Sequence, residues 1–185
     1  FCGTKSGSHM TPTYNVSRAT PGMIGERFED ALRRLDSEMI AGRTKGIPPI
    51  TVRFGDLGKQ GWNLFKGDIP LPSMILKWPD VKHNIDLMQS FCNFHQAWLA
   101  PHGKTTMAPQ LWAEQLRAGA WAITVANVSQ LQVAHEFGLQ RIIVANELVS
   151  DYDIRYISEL LRNEPQLDLY ILVDGVVAVE RLRQG

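Results

Sequence analysis

The hydrophobic rhythm of the chain changes twice. In residues 25–41, Phe28, Leu32, Leu35 and Met39 recur at helical spacing, Arg33, Arg34, Asp36 and Glu38 fall off that stripe, and Gly42 follows as a stop. This pattern predicts one amphipathic helix. Across residues 43–72 the period disappears among Pro48-Pro49, Gly55, Gly58, Gly61, Gly67, Pro70 and Pro72. Such punctuation predicts a long irregular connection, with a short strand at residues 50–54. Trp62, Leu64 and Phe65 are expected to pin it to a larger body, because an unanchored loop of that length is unusual in a compact domain.

After Pro72 short apolar runs begin to alternate with helical periods. Strands are predicted at residues 73–78, 98–102, 121–126, 141–146 and 167–174. Pro79-Asp80 opens a helix with Val81, Ile85, Met88 and Cys92 on one face, which puts Cys92 in the core rather than in chemistry. Pro109 opens the next helix and Gly119 ends it. Asn127 can cap a third, carrying Leu131, Ala134 and His135 up to Gly138. Helices at residues 151–163, stopped before Pro165, and from Val176 onward complete the alternation. Strand–helix alternation of this kind predicts an α/β fold with a parallel sheet. The runs Ile142-Ile143-Val144-Ala145 and Leu169-Tyr170-Ile171-Leu172-Val173 suit strands covered on both faces. An open doubly wound sheet and a β/α barrel both satisfy the pattern.

Composition narrows the class further. With 185 residues, 44% of them hydrophobic, the chain can bury a core without needing a disulfide or a metal. Lys plus Arg and Asp plus Glu both number 19, so no charge imbalance points to nucleic acid or a membrane surface. No apolar run approaches the roughly 20 residues of a membrane span. Cys2 and Cys92 form neither a disulfide framework nor a zinc spacing, which fits a reducing, cytoplasmic setting. Gly7-Ser8-His9-Met10 resembles the scar of a cleaved tag. Residues 1–9, including Cys2 and His9, are therefore set apart as a tag or vector remnant. Residues 10–72 are then a helix and an irregular lead-in, and residues 73–185 the α/β portion.

Candidate chemistry gathers at the carboxyl ends of the predicted strands, where parallel α/β folds place their sites. His102-Gly103-Lys104-Thr105, Asn127, Asn146-Glu147 and Asp174 stand at these ends. Asn and Asp are ordinary helix starters, so capping accounts for them as well as chemistry does. Lys104 follows a strand expected to be buried. A part-desolvated amine there has a lowered pKa and can form a Schiff base, although an exposed loop lysine is the commoner outcome. No Gly-x-Gly-x-x-Gly turn occurs, and no full Gly-x-x-x-x-Gly-Lys-Ser/Thr nucleotide loop, since Trp98 stands where Gly103-Lys104-Thr105 would need its first glycine. His83, His95 and His135 are expected to be helix-face residues without a chemical role.

The segment Leu99-Ala100-Pro101-His102-Gly103-Lys104-Thr105-Thr106-Met107-Ala108-Pro109-Gln110-Leu111 resembles the Schiff-base lysine motif of a pyridoxal-phosphate family. This is the D-threonine aldolase and D-serine dehydratase group, with its alanine-racemase type of barrel (fold type III). Leu71-Pro72-Ser73-Met74-Ile75-Leu76-Lys77 is similar to the group's opening strand. Ala120-Trp121-Ala122-Ile123-Thr124-Val125-Ala126, Ile143-Val144-Ala145-Asn146-Glu147-Leu148 and Ile171-Leu172-Val173-Asp174 are similar to its following strands. The likeness runs from about Trp62 to the end and is nearest to members described as amino-acid deaminases or D-serine deaminase-like.

The resemblance implies the N-terminal portion of a (β/α)8 TIM-type barrel. Lys104 would hold pyridoxal 5'-phosphate as a Schiff base, His102 and Thr105 would flank the cofactor ring, and Asn127, Asn146 and Asp174 would line the barrel mouth. It implies a lyase acting on D-3-hydroxyamino acids: deamination of the D-serine kind to an oxo acid and ammonia, or retro-aldol cleavage of the D-threonine kind. A non-catalytic, cofactor-binding homeostasis protein of the same fold is the alternative, followed by a scaffold that lost the site and, more weakly, a racemase. Such a barrel needs roughly 250 residues. The rest of the barrel, the phosphate cradle and a C-terminal β-domain with His and Cys ligands for a divalent metal, zinc or manganese, are expected beyond this chain. No metal site is predicted within it. The expected partners are a small D-amino acid and a second copy in a homodimer, with no nucleic acid and no membrane.

Overall fold

The computed structural model describes residues 21–184 apart from Met23 and Arg43. The proposed tag remnant, Cys2 and His9 lie outside the described residues. Helix α1 (Glu26–Ser37) starts at Gly25, carries Glu26 and Glu29 in its first turn and Arg34 in its last, and so has charges that match its dipole. It is shorter than predicted, because Met39 belongs to a strand instead. β1 (Met39–Ile40) pairs antiparallel with β2 (Val52–Arg53), with Met39 opposite Arg53. Phe28 is fully buried and its ring lies 6.4 Å from that of Phe137, which fastens α1 to the main core.

Two short 3-10 turns, Phe54–Lys59 and Leu64–Lys66, interrupt the expected irregular connection. Asn63 caps the second by accepting from the backbone N–H of Phe65 and Lys66. Trp62 and Leu64 are half-buried, but Phe65 is 96% exposed, so it does not anchor the segment.

The parallel sheet consists of β3 (Ile123–Val125), β4 (Arg141–Val144) and β5 (Asp168–Ile171), in that order. The register aligns Ile123 with Ile142, and Ile142 with Leu169. Side-chain alternation divides the sheet into two faces. Ile123, Val125, Ile142 and Val144 are buried in a cluster with Trp112, Leu116, Leu131, Ile154 and Ile157, while Leu169 and Ile171 pack on it half-buried. Those partners come from helices α3 (Pro109–Arg117), α4 (Val128–Glu136) and α5 (Asp151–Asn163). On the other face Trp121 stacks on Trp98, with centroids 5.3 Å apart, and packs against Tyr170. The Arg141 guanidinium lies 4.8 Å from the centre of the Trp121 ring and donates to Asp168 at 3.0 Å. Only β3 is buried at every position; β4 alternates and β5 is half-buried, so cover on both faces holds for β3 alone.

Two predicted strands differ. Residues 98–102 run alongside β3 through Leu99, Pro101 and Gly103 backbone bonds, but only one bridge forms, between His102 and Thr124. Residues 73–77 form no ladder, and Met74 is 93% exposed. Apolarity selects burial, whereas a strand also needs a neighbour to take its N–H and C=O groups. Helix α2 (Trp78–Phe94) begins with Pro79 in its first turn, as expected. Val81 and Ile85 are half-buried and Cys92 is buried, but Met88 is exposed. The last helix is α6 (Val176–Gln184). The architecture is thus α/β with a parallel sheet. The described residues contain five laddered strands, two in the antiparallel pair and three in the parallel sheet, and no closed barrel, and none of their helices is long and apolar enough to cross a membrane.

Candidate functional site

The residues singled out from the sequence stand at one end of the sheet. His102 ends the segment beside β3, Lys104 and Thr105 lie just beyond it, and Asn127 follows β3, Asn146 β4 and Asp174 β5. All six are exposed. Lys104 therefore does not sit in the part-desolvated pocket expected of it. The desolvated residue is its neighbour Gly103, which is buried.

Gly103 explains the shape of the turn. Its N–H donates to the Thr124 carbonyl at 2.7 Å and its carbonyl accepts from the Met107 N–H at 2.9 Å. A Cβ at this position would stand 2.9 Å from Ile123 Cγ2 and within clashing range of the Trp112 indole. Only glycine lets the backbone come this close to the core. Thr124 adds a second tie, with its Oγ1 donating to the Ala100 carbonyl at 2.8 Å. Met107 closes the turn at φ 46, in the left-handed region. Lys104 is thus an exposed side chain on a tightly held backbone. Among the described residues no carboxylate pairs with its amine.

Asn127 and Asn146 have structural work that limits what they can offer a ligand. Asn127 Oδ1 accepts from the Gln130 N–H at 3.0 Å and from Ser129 Oγ at 2.8 Å, which caps α4. Asn146 Oδ1 accepts from the Glu147 N–H at 3.1 Å. Each oxygen is engaged, leaving the –NH2 groups as donors. Asp174 precedes Gly175, where a Cβ would meet nothing within 4 Å, so the space beside it is open.

The other described histidines have different surroundings. His83 is exposed on α2, and His95 caps that helix beside the rings of Phe91 and Phe94. His135 meets Glu164 at 3.2 Å, and Arg27 shares the same carboxylate. Among the described residues no group of three or more His, Cys, Asp or Glu could hold a metal ion. Sequence reasoning passed over Gln130, whose side chain reaches both Ala126 and Lys104. The available signal was its place three residues after the Asn127 cap, a capping-box spacing.

No family model matches the chain. A D-threonine aldolase from Arthrobacter sp is 29% identical over 94 residues, covering 51% of this chain and 25% of that protein. The crystal structure of D-threonine aldolase from Filomicrobium marinum superposes with a TM-score of 0.58 at 21% identity, over 63% of this chain and 31% of that one. A mutant of D-threo-3-hydroxyaspartate dehydratase gives a TM-score of 0.55 at 24% identity, over 62% of this chain and 29% of that one. The chain therefore spans about a quarter of the curated relative's length and under a third of either solved chain. Within those limits it is similar in sequence to a D-threonine aldolase and shares its fold with an aldolase and a dehydratase of the fold-type III group, the group that the Lys104 motif resembles.

Proposed function

We propose that this chain carries the lysine-bearing, N-terminal part of a barrel lyase that uses pyridoxal 5'-phosphate and acts on D-3-hydroxyamino acids. The observation that supports it most is the Lys104 turn: an amine with no carboxylate partner among the described residues, on a backbone held by hydrogen bonds and close packing, at the end of the sheet where the other polar candidates also stand. The residues present fit the cofactor in kind. Lys104 offers a primary amine for an aldehyde carbon, with water as the released product. His102 and Thr105 are adjacent and exposed, and Asn127 and Asn146 contribute N–H donors. When bound, pyridoxal phosphate would supply an electron sink for carbanion character at the substrate α-carbon. With the substrate amine in its place on the cofactor, the Lys104 amine would serve as the base for the α-proton. Asp174, beside the open Gly175, can accept from a substrate ammonium or hydroxyl.

Two outcomes share this substrate class. Loss of the 3-hydroxyl as water gives an enamine that hydrolyses to an oxo acid and ammonia, the D-serine deaminase-like result. Cleavage between the α- and β-carbons gives glycine and an aldehyde, and the likeness to a D-threonine aldolase favours keeping this reading beside the first. The residues described here do not assemble a site for the divalent metal implied by the resemblance, so no step is assigned to one. The same reading makes the protein a cytoplasmic homodimer.

The test is borohydride reduction after mixing with pyridoxal phosphate, followed by peptide mass mapping. A phosphopyridoxyl group confined to Lys104, and lost in Lys104→Ala, is the expected result. Adducts scattered over other exposed lysines, or none, would refute the assignment. Product analysis with D-serine and D-threonine then separates oxo acid plus ammonia from glycine plus aldehyde.

A further inference from the structure

We propose that Gln130 is a positioning residue for Lys104, its single side-chain amide fastening the Lys104 carbonyl to the carboxyl end of β3. The inference rests on the function proposed above and adds to it the part that holds the reactive lysine in place. Gln130 occupies the third position of α4, and its Oε1 accepts from the Ala126 N–H at 2.9 Å while Asn127 Oδ1 accepts from the Gln130 N–H. That reciprocal pair resembles a capping box, and a capping box requires only an acceptor at its third helical position, so glutamate would serve equally well. Glutamine brings an extra –NH2, and here it is used: Nε2 donates to the Lys104 carbonyl at 3.4 Å, across 26 residues of sequence. The orientation of the amide is fixed by chemistry, since a backbone N–H can only donate and must therefore face Oε1.

A second, independent observation shows that the turn is built to be held. Gly103 is pressed onto Trp112 and Ile123 from below, and its own N–H and C=O are bonded to Thr124 and Met107. Gln130 supplies the tie on the remaining side, at the residue that bears the amine. Among the described residues the Trp112 Nε1 finds no acceptor beneath Gly103, and packing holds the floor of the turn there. Loss of the Gln130 donor leaves Lys104 on a turn tied only through its neighbours.

Two substitutions separate capping from positioning. Gln130→Glu keeps the acceptor for Ala126 and removes the donor to Lys104, whereas Gln130→Met removes both. Hydrogen exchange read by mass spectrometry needs no cofactor. In Gln130→Glu the Gly103 and Met107 amides are expected to exchange about fivefold faster, the loss of one ordinary hydrogen bond, while Ala126 stays protected and Tm holds. Borohydride trapping at Lys104 should slow by a similar factor. In Gln130→Met, Ala126 should lose protection as well. Turn exchange in Gln130→Glu that matches the wild-type chain would overturn the proposal, whatever the trapping shows. Faster exchange in that variant, with no Lys104 adduct in any of the proteins, would uphold the tie and refute the cofactor assignment instead.

Discussion

Residues 109–171 and residues 44–98 both carry apolar runs but put them to opposite use. In the first region Trp112, Ile123, Leu131, Ile142 and Val144 are fully enclosed, and the sheet gives every strand a bonded neighbour. In the second, Phe65, Met74, Leu87, Phe91 and Phe94 face outward, although Met74-Ile75-Leu76 is as apolar as Ile142-Ile143-Val144. Hydrophobic sequence supplies a tendency to bury. Burial follows only where a partner surface and a ladder are available to complete it.

The largest effect should come from the enclosed side of this contrast. Ile142→Ala is expected to cost about 3 kcal/mol, transfer and cavity together, whereas Met74→Ala should stay within about 0.5 kcal/mol. Urea denaturation of both variants checks the pair. Equal losses would mean that Met74 is covered in solution and that the two regions are alike.

The next effect concerns the Trp121 side of the sheet, where Arg141 donates to Asp168 at 3.0 Å from a partly buried position. Asp168→Asn removes the charge but keeps an acceptor, and is expected to cost about 1 kcal/mol, measured as a lowered denaturation midpoint. Asn127→Ala should be similar or slightly smaller, about 1 kcal/mol or less, because it removes the α4 cap. The same change frees the Gln130 and Ser129 donors, so circular dichroism should show earlier thermal loss of helix.

The smallest effect lies on the exposed surface. Arg181 donates to Asp151 and holds its carboxyl below the ordinary value, with its charge adding to the bond. A carboxyl lowered in the folded state stabilises above its unfolded pKa, near 4, and the contribution fades as pH falls through the folded value. Asp151→Asn should therefore leave Tm slightly lower at neutral pH and unchanged in strong acid. Solvent exposure of the pair and salt screening keep the difference small.

Much of this was legible in the sequence because it is local. Gly138 and Pro165 end helices where their backbone chemistry requires, Asn127 caps α4, and Asp151–Asn163 forms a helix over the range its pattern predicts. The Lys104 motif could likewise be read from consecutive residues. Its environment could not. The expected buried pocket became an exposed lysine beside a buried glycine, because the fit of Gly103 against Trp112 and Ile123 depends on elements brought together from elsewhere.

The sequence by itself determined the alternation of strands and helices, the helix ends and the place of the candidate lysine, since each depends on neighbours within a turn or two. Only the tertiary structure decided which apolar runs became strands, which side chains were enclosed, and that Gln130 reaches the Lys104 carbonyl. Those outcomes depend on pairing partners far along the chain, and a one-dimensional pattern carries no record of which surfaces meet.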